Sequence, residues 1–298
     1  MTPPSTAPLR CRLIEASDLD AVITLLGVGF PDRPTAYWRR GLERHRARAL
    51  PDGVPRYGYL LDYGGEAVGV LLTLYTRVAD EAGGHLRCNL SSWYVDPRFR
   101  TIASLLDGRA MRDKATTYLN VSPAPNTWAM HEARGFERYC RGQMLVVPAL
   151  CRRSPNQRVE AASRDNLAML PEGERTLAED HATYGCRVLI CQEAGRARAI
   201  VLQARRLKLR PGQRRGPTLP CLQLIFGPTG RELERWLGSI GRFLLRRGAT
   251  PFLIFDAAGP SPGTVGRYFA GRAPKYAKGP RGVALGDLSY TEMVLFGP

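Results

Sequence analysis

Histidine is scarce in this chain: four in 298 residues, at His45, His85, His131 and His181, with no two at metal-ligand spacing. No zinc or iron centre is expected from that distribution. The seven cysteines are odd in number and scattered, without a C-x-x-C pair, which argues against a disulfide framework and for reduced thiols. No apolar run approaches the roughly 18 uncharged residues needed to span a bilayer. Residues 1–9 are Pro/Thr/Ser-rich and lack the apolar stretch of a secretory signal. The expectation is a protein without a membrane span, working in the cytoplasm.

Negative charge is also in deficit, giving a net +16. Residues 1–150 carry 19 Lys/Arg against 15 Asp/Glu and the remainder 24 against 12, so the excess sits in the second half. Its densest run is Arg205, Arg206, Lys208, Arg210, Arg214 and Arg215, flanking the turn pair Pro211-Gly212. That reads as a cationic hairpin tip, either a polyanion contact or a solvated loop. Nucleic acid is disfavoured as a partner, because no aromatic residues interleave with these arginines.

What is present suits a globular protein, with 44% hydrophobic and 23% charged residues. The length predicts two cores. Residues 9–15 alternate as a strand, Ser17 and Asp20 open an apolar helix, and Pro34 starts a basic second helix. Residues 57–63 and 66–77 form a hairpin around Gly64-Gly65. Residues 86–95 make a further strand, followed by Asp96-Pro97 and a helix with Ile102, Leu105, Leu106, Ala110 and Met111 on one face. A short strand at 117–121, a helix at 126–134 and a strand at 142–150 complete the order β-α-α-β-β-β-α-β-α-β.

Residues 152–166 are polar and lack an apolar period, which predicts an interdomain linker, taken as 151–166. A similar order then returns: a helix at 170–181, strands at 187–192, 196–207 and 219–226, and a strongly periodic helix through Leu233, Trp236, Leu237, Ile240, Phe243 and Leu244. A strand at 251–255, a short helix around 265–269 and a last strand at 289–296 end it. The repeated order suggests a duplicated architecture without a residue-level repeat.

The string Trp93-Tyr94-Val95-Asp96-Pro97-Arg98-Phe99-Arg100-Thr101-Ile102-Ala103-Ser104 resembles the acyl-CoA pyrophosphate motif of the GNAT acyltransferase superfamily. In that family a strand ends in a V-x-P turn, and an R/Q-x-x-G-x-G/A loop opens a helix whose N-terminal N–H groups receive the pyrophosphate. Arg98, Thr101 and Ala103 fit the spacing, with Thr101 where glycine is usual; a register beginning at Arg100 fits equally. Leu119-Asn120-Val121, the helix from Asn126 and the pair Gly135-Phe136 resemble the second part of the pattern.

The resemblance implies an α/β (α+β) fold of two GNAT-like domains, at 1–150 and 167–298, each a mixed, mostly antiparallel twisted sheet flanked by helices. It implies acyl transfer from acetyl-CoA or a longer acyl-CoA to an amine or hydroxyl by direct attack, with no metal. The cofactor-binding candidates are Trp93, Val95, Arg98, Arg100, Thr101, Ile102, Ala103 and Ser104. His131 holds the place of a tyrosine that protonates the departing thiolate in the family, a role open to histidine; alternatively it is an exposed helix residue. Tyr94 and Asn120 are candidates for acceptor contacts. By alternation Leu90, Ser92 and Tyr94 should share one face of their strand, and Asn89, Ser91, Trp93 and Val95 the other. The strand-turn-helix at Phe226-Gly227-Pro228-Thr229-Gly230-Arg231 is a weaker second phosphate seat. The basic second domain would hold or shape an anionic acceptor. The alternative to an enzyme is a non-catalytic acyl-CoA sensor on the same fold.

Overall fold

The computed structural model describes residues 8–79, 83–208 and 216–297. Arg210, Pro211, Gly212, Arg214 and Arg215, most of the expected cationic tip, lie outside the described residues. The chain divides into two compact units. Among the described residues, one comprises 8–79, 83–120, 277–282 and 290–297; the other comprises 121–208, 216–276 and 283–289. This division falls at Asn120 rather than at the residue 150 expected from the sequence.

In the first unit β1 (Leu9–Leu13), β2 (Gly58–Tyr63), β3 (Glu66–Val78) and β4 (His85–Val95) are antiparallel neighbours in that order. β5 (Thr117–Asn120) joins β4 in parallel. Val68, Val70, Leu71, Leu72 and Leu74 of β3 are all buried, as a strand covered on both faces requires. Helix α1 (Leu19–Gly29) packs on β3 and β4 and on α2 (Thr35–Ala47), while α3 (Ser104–Ala110) packs on β2 and β3. A Cβ on Gly29 would stand 2.4 Å from the Tyr94 ring, so the α1 face carries Tyr94 and its register partner Val70. Cys11 Sγ reaches Leu105 O at 3.7 Å, so the α3 face carries Cys11 and its partner Leu61.

The second unit opens with α4 (Trp128–Ala133) and β6 (Glu137–Val146). Between them Gly135 takes φ 76° and Phe136 N–H bonds His131 O at 3.0 Å, a left-handed helix cap. The stretch expected as a linker holds β7 (Arg158–Ala161), antiparallel to β8 (Arg187–Glu193), and α5 (Arg164–Leu167), capped by Ser163 and Asn166. Its strand is short and edge-placed, with no apolar alternation to announce it. α6 (Glu172–Thr183), β9 (Arg196–Lys208), β10 (Thr218–Phe226), α7 (Gly230–Arg246), β11 (Leu253–Ala257) and β12 (Gly266–Lys278) follow. The strand order is β12-β6-β11-β10-β9-β8-β7, with β10 and β11 parallel. The short helix expected near 265–269 is instead the start of β12, a strand whose Lys275 and Tyr276 are wholly buried. One apolar core lies under α7, among Ile200, Leu202, Leu222, Leu224, Leu233, Trp236, Leu237, Leu253 and Phe255.

The expected last strand is instead a turn of helix, α8 (Glu292–Leu295), which belongs to the first unit. Phe296 anchors it against Tyr37 and Trp38 at ring separations of 5.8 and 5.7 Å. Gly41 makes room: a Cβ there would lie 1.9 Å from the Phe296 ring. Arg44 donates to the carbonyls of Val294 and Leu295 at 3.4 and 3.3 Å.

Candidate active site

Strand β4 does not keep simple alternation. Leu72 faces Ser91 and Val70 faces Tyr94, so Ser92 and Trp93 bulge opposite the single residue Leu71. Ser92 pays with a left-handed φ of 52°, a backbone strain that tends to gather at functional positions. The bulge corrects the expected faces: Asn89, Ser91 and Tyr94 share the α1 face, while Leu90 and Val95 share the α3 face. A bulge resets the two-residue period, and nothing in the local composition marks it.

Parallel pairing of β4 with β5 runs from Arg87 opposite Thr117 to Asn89 opposite Leu119. β5 ends at Asn120, whereas β4 continues through the bulge to Val95. The two strands therefore part where the α1 face carries Asn89 and Ser91. Asn89 Nδ2 donates to Leu90 O and Leu119 O at 3.1 and 3.4 Å, tying both strands at the fork. Its Oδ1 accepts from Glu292 N at 2.8 Å. Ser91 Oγ donates to Glu292 Oε2 and lies 2.9 Å from Ser92 Oγ. Sequence reasoning did not find Glu292, which is contributed from far along the chain by a segment read as a strand.

Beyond Val95 the loop is wound as a 3-10 helix over Pro97–Ile102, and α3 begins only at Ser104. A 3-10 turn bonds each N–H to a carbonyl three residues back, leaving fewer open donors than an extended glycine loop would. The β-branched Thr101 in the glycine position is consistent with that winding. Arg98, Arg100, Thr101 and Ser104 are exposed, Ile102 and Ala103 half-buried. Arg98 bonds Asp96 at 3.0 Å and Glu66 at 3.3 Å, and Asp96 also accepts from Arg98 N at 2.9 Å. The Arg98 guanidinium holds the Asp96 carboxyl below its ordinary range. Trp93 and Tyr94 are half-buried, Val95 is buried, and Asn120 is half-buried at the end of β5.

His131 groups with the second unit and is 5% exposed, not a surface residue. Its ring packs on Phe136 and Tyr276 at 5.3 and 5.6 Å, and burial, then Arg134, lowers its pKa.

The strand-turn-helix of the second unit differs. β10 and β11 pair only at Leu222 with Leu253 and Gln223 with Ile254. Past that point Leu288 N donates to Ile225 O at 2.7 Å, and Phe226 bridges Asp287. β9 holds the other edge of β10, with Val201 opposite Phe226, so residues 287–288 lie on the edge facing β11. A Cβ on Gly286 would stand 2.6 Å from Thr229 Cγ2. The chain itself therefore fills this fork and covers the turn at Thr229.

No family model matches the sequence, and neither does any curated protein. Solved structures do. A GCN5-related N-acetyltransferase from Anabaena variabilis superposes with TM-score 0.56 at 8% identity, over 91% of this chain and 72% of that one. A GCN5-related N-acetyltransferase from Kribbella flavida gives 0.55 at 13%, over 91% and 71%. A chain from Pyrococcus horikoshii gives 0.53 at 13%, over 95% and 93%. This chain has the GNAT fold. Within the GNAT fold the α/β class and the mostly antiparallel sheet flanked by helices are as expected from the sequence. Among the described residues no helix is long and apolar enough to cross a membrane.

Proposed function

We propose that the chain transfers an acyl group from acetyl-CoA or a longer acyl-CoA to an amine or hydroxyl, in a single cleft at the β4/β5 fork of the first unit. The observation that carries this reading is the fork itself, with its bulge at Ser92 and a turn after Val95 that presents exposed Arg98, Arg100, Thr101 and Ser104. A pantetheine arm needs exposed strand backbone, and β4 outruns β5 by the length of its bulged end. A pyrophosphate needs cations and N–H groups, and Arg98 can exchange the carboxylates of Asp96 and Glu66 for phosphate oxygens of the same geometry. In this reading Trp93 and Val95 flank the pantetheine. Ile102 and Ala103 shape the turn, and Tyr94 and Asn120 border the acceptor. The packing of His131 supports a structural part in the second unit rather than acid catalysis.

The second unit supports the reading of a duplicated GNAT lobe. After α4 and β6, its order β7-α5-α6-β8-β9-β10-α7-β11-β12 parallels the chain's earlier order β1-α1-α2-β2-β3-β4-α3-β5-α4-β6 apart from a counterpart of α4, although α4 and β6 themselves lie in the second unit. Its filled fork makes it the lobe without a CoA site. Titration calorimetry with acetyl-CoA and longer acyl-CoAs tests the proposal: one site per chain is expected, and absence of binding to all of them would sink it.

A further inference from the structure

The C-terminal segment places a carboxylate at the fork. Phe296 seated over Gly41 and the Arg44 bonds to Val294 O and Leu295 O fix α8. Asn89 Oδ1 receives Glu292 N–H at 2.8 Å, on the residue that also ties β4 to β5 through Leu119 O. The Glu292 side chain is half-buried and accepts a hydrogen bond from Ser91, itself 2% exposed, next to the strained Ser92. Four polar side chains from strand and tail thus converge where β4 and β5 part, and among them the carboxylate is the Brønsted base, the others being an amide and two hydroxyls. The carboxylate lies at the fork, on the face shared by Ser91 and Tyr94.

We infer that Glu292 is a catalytic residue that binds the acceptor as a protonated amine and removes its proton. The inference rests on the acyltransferase reading of the same fork. A carboxylate attracts an ammonium and favours its charged form, holding it by a charge-assisted bond; a hydroxyl offers no such charge. One ammonium proton passes to Glu292. The freed nitrogen lone pair forms the C–N bond to the thioester carbonyl carbon as the C–S bond breaks with its electron pair on sulfur. A second nitrogen proton goes to the thiolate, and Glu292 releases its proton to solvent. Amide, free thiol and one proton balance the ammonium and the thioester. Ser91 is the positioning residue that holds the carboxylate.

The test uses the full chain, acetyl-CoA, and tyramine, histamine and spermidine as amine probes, with thiol release as readout. Glu292→Gln keeps the backbone N–H bond to Asn89 and should leave acetyl-CoA affinity unchanged, while thiol release at pH 7 falls about 100-fold. Glu292→Asp should restore at least a tenth of the parent rate. In Glu292→Gln the deficit should shrink as pH approaches the amine's own pKa, because the acceptor then arrives deprotonated; a structural defect would not shrink. If Glu292→Gln does not fold, Ser91→Ala carries the test, with a loss of roughly 10-fold in kcat at unchanged acetyl-CoA affinity. Parent-like turnover by the Gln variant, or by Ser91→Ala where it stands in, overturns the inference. So does a parent that binds acetyl-CoA but acylates none of the amines. Failure of the parent to bind acetyl-CoA strikes the acyltransferase reading instead, and the inference with it.

Discussion

In the first unit β4 and β5 hold parallel register over Arg87–Asn89 and then part, and β4 runs on alone through a strained bulge. In the second unit β10 and β11 part in the same way after Gln223 and Ile254, yet Asp287 and Leu288 close the fork with backbone hydrogen bonds. The polar groups differ accordingly. Around the first fork they are Asn89, Ser91, Ser92 and Glu292, bonded to one another and partly reachable from solvent. On β6, β11 and β12 they are Gln143, Asp256 and Lys275, buried to 5, 6 and 0% exposure and bonded at 3.1 and 2.8 Å. On the proposed reading, the same supersecondary unit would take a ligand where its edge is left open, and where its edge is closed the chain's own backbone occupies that place.

The largest effect should come from the closed side. Lys275→Met leaves Asp256 as an uncompensated buried charge, a change that typically costs about 3–5 kcal/mol. Urea unfolding should show that loss, while the acetyl-CoA affinity of the surviving folded protein stays at the parent value. A matching loss of affinity would mean that the two forks are not independent.

Second in size is a paired substitution at the two turns. Thr101→Glu sets a carboxylate beside the proposed pyrophosphate, and acetyl-CoA affinity should fall roughly 100-fold, or about 2.8 kcal/mol. An acid near a helix N-terminus is compatible with the dipole, so stability without ligand should hold. Thr229→Glu, before α7, should leave affinity unchanged. Calorimetry reads both, and equal behaviour of the pair would erase the distinction between open and closed forks.

Several of the elements that build the two forks were legible in the sequence, but unevenly. Helix α7, with Leu233, Trp236, Leu237, Ile240 and Leu244 buried on one face, and the cap at Gly135-Phe136 declare themselves through local period and turn chemistry. The run from Trp93 to Leu106 announced strand, turn and helix correctly. Local period could not show that Ser92 bulges, which moves Ser91 to the face of Tyr94. Nor could it show that β12 buries Lys275 in a stretch resembling a surface loop, since that burial depends on Asp256 nineteen residues away. Asp287 and Glu292 are five residues apart in sequence, yet one closes the second fork and the other borders the first. Only the long-range path of the chain distinguishes them.

A smaller effect should follow from loosening the closure. Gly286 holds φ 78°, and an added Cβ would stand 2.6 Å from Thr229 Cγ2, so Gly286→Ala should cost about 1–2 kcal/mol through strain and contact. Acyl-CoA stoichiometry should remain one per chain. A second equivalent bound by the variant would show that closure alone had hidden a working site.

The smallest effects concern pH, and they have opposite signs in the two units. Arg12, bonded to Asp18 at 2.7 and 2.9 Å, holds that carboxyl below its ordinary value of 3.8. A depressed folded value binds fewer protons than the unfolded chain, so this contribution is complete above the ordinary value and is lost as pH falls through the depressed one. Asp18→Asn should therefore be less stable than the parent at pH 7, by about 1 kcal/mol or less because Arg12 is partly exposed, and the difference should close in acid. Glu174 runs the other way: burial pushes its carboxyl above 4.5 despite the hydrogen bond from Ala199 N. Its contribution is complete below the ordinary value and is lost as pH rises through the raised one. Glu174→Gln should then gain on the parent between pH 4 and 8, by about 1 kcal/mol or less. Denaturant midpoints measured from about pH 2 to about pH 8 should move in opposite directions for the two variants, the Asp18→Asn deficit closing only below the ordinary 3.8 and the Glu174→Gln gain opening only above the ordinary 4.5. Differences of the same sign would mean that Glu174 is better solvated, or Asp18 less firmly paired, than their surroundings in the two units require.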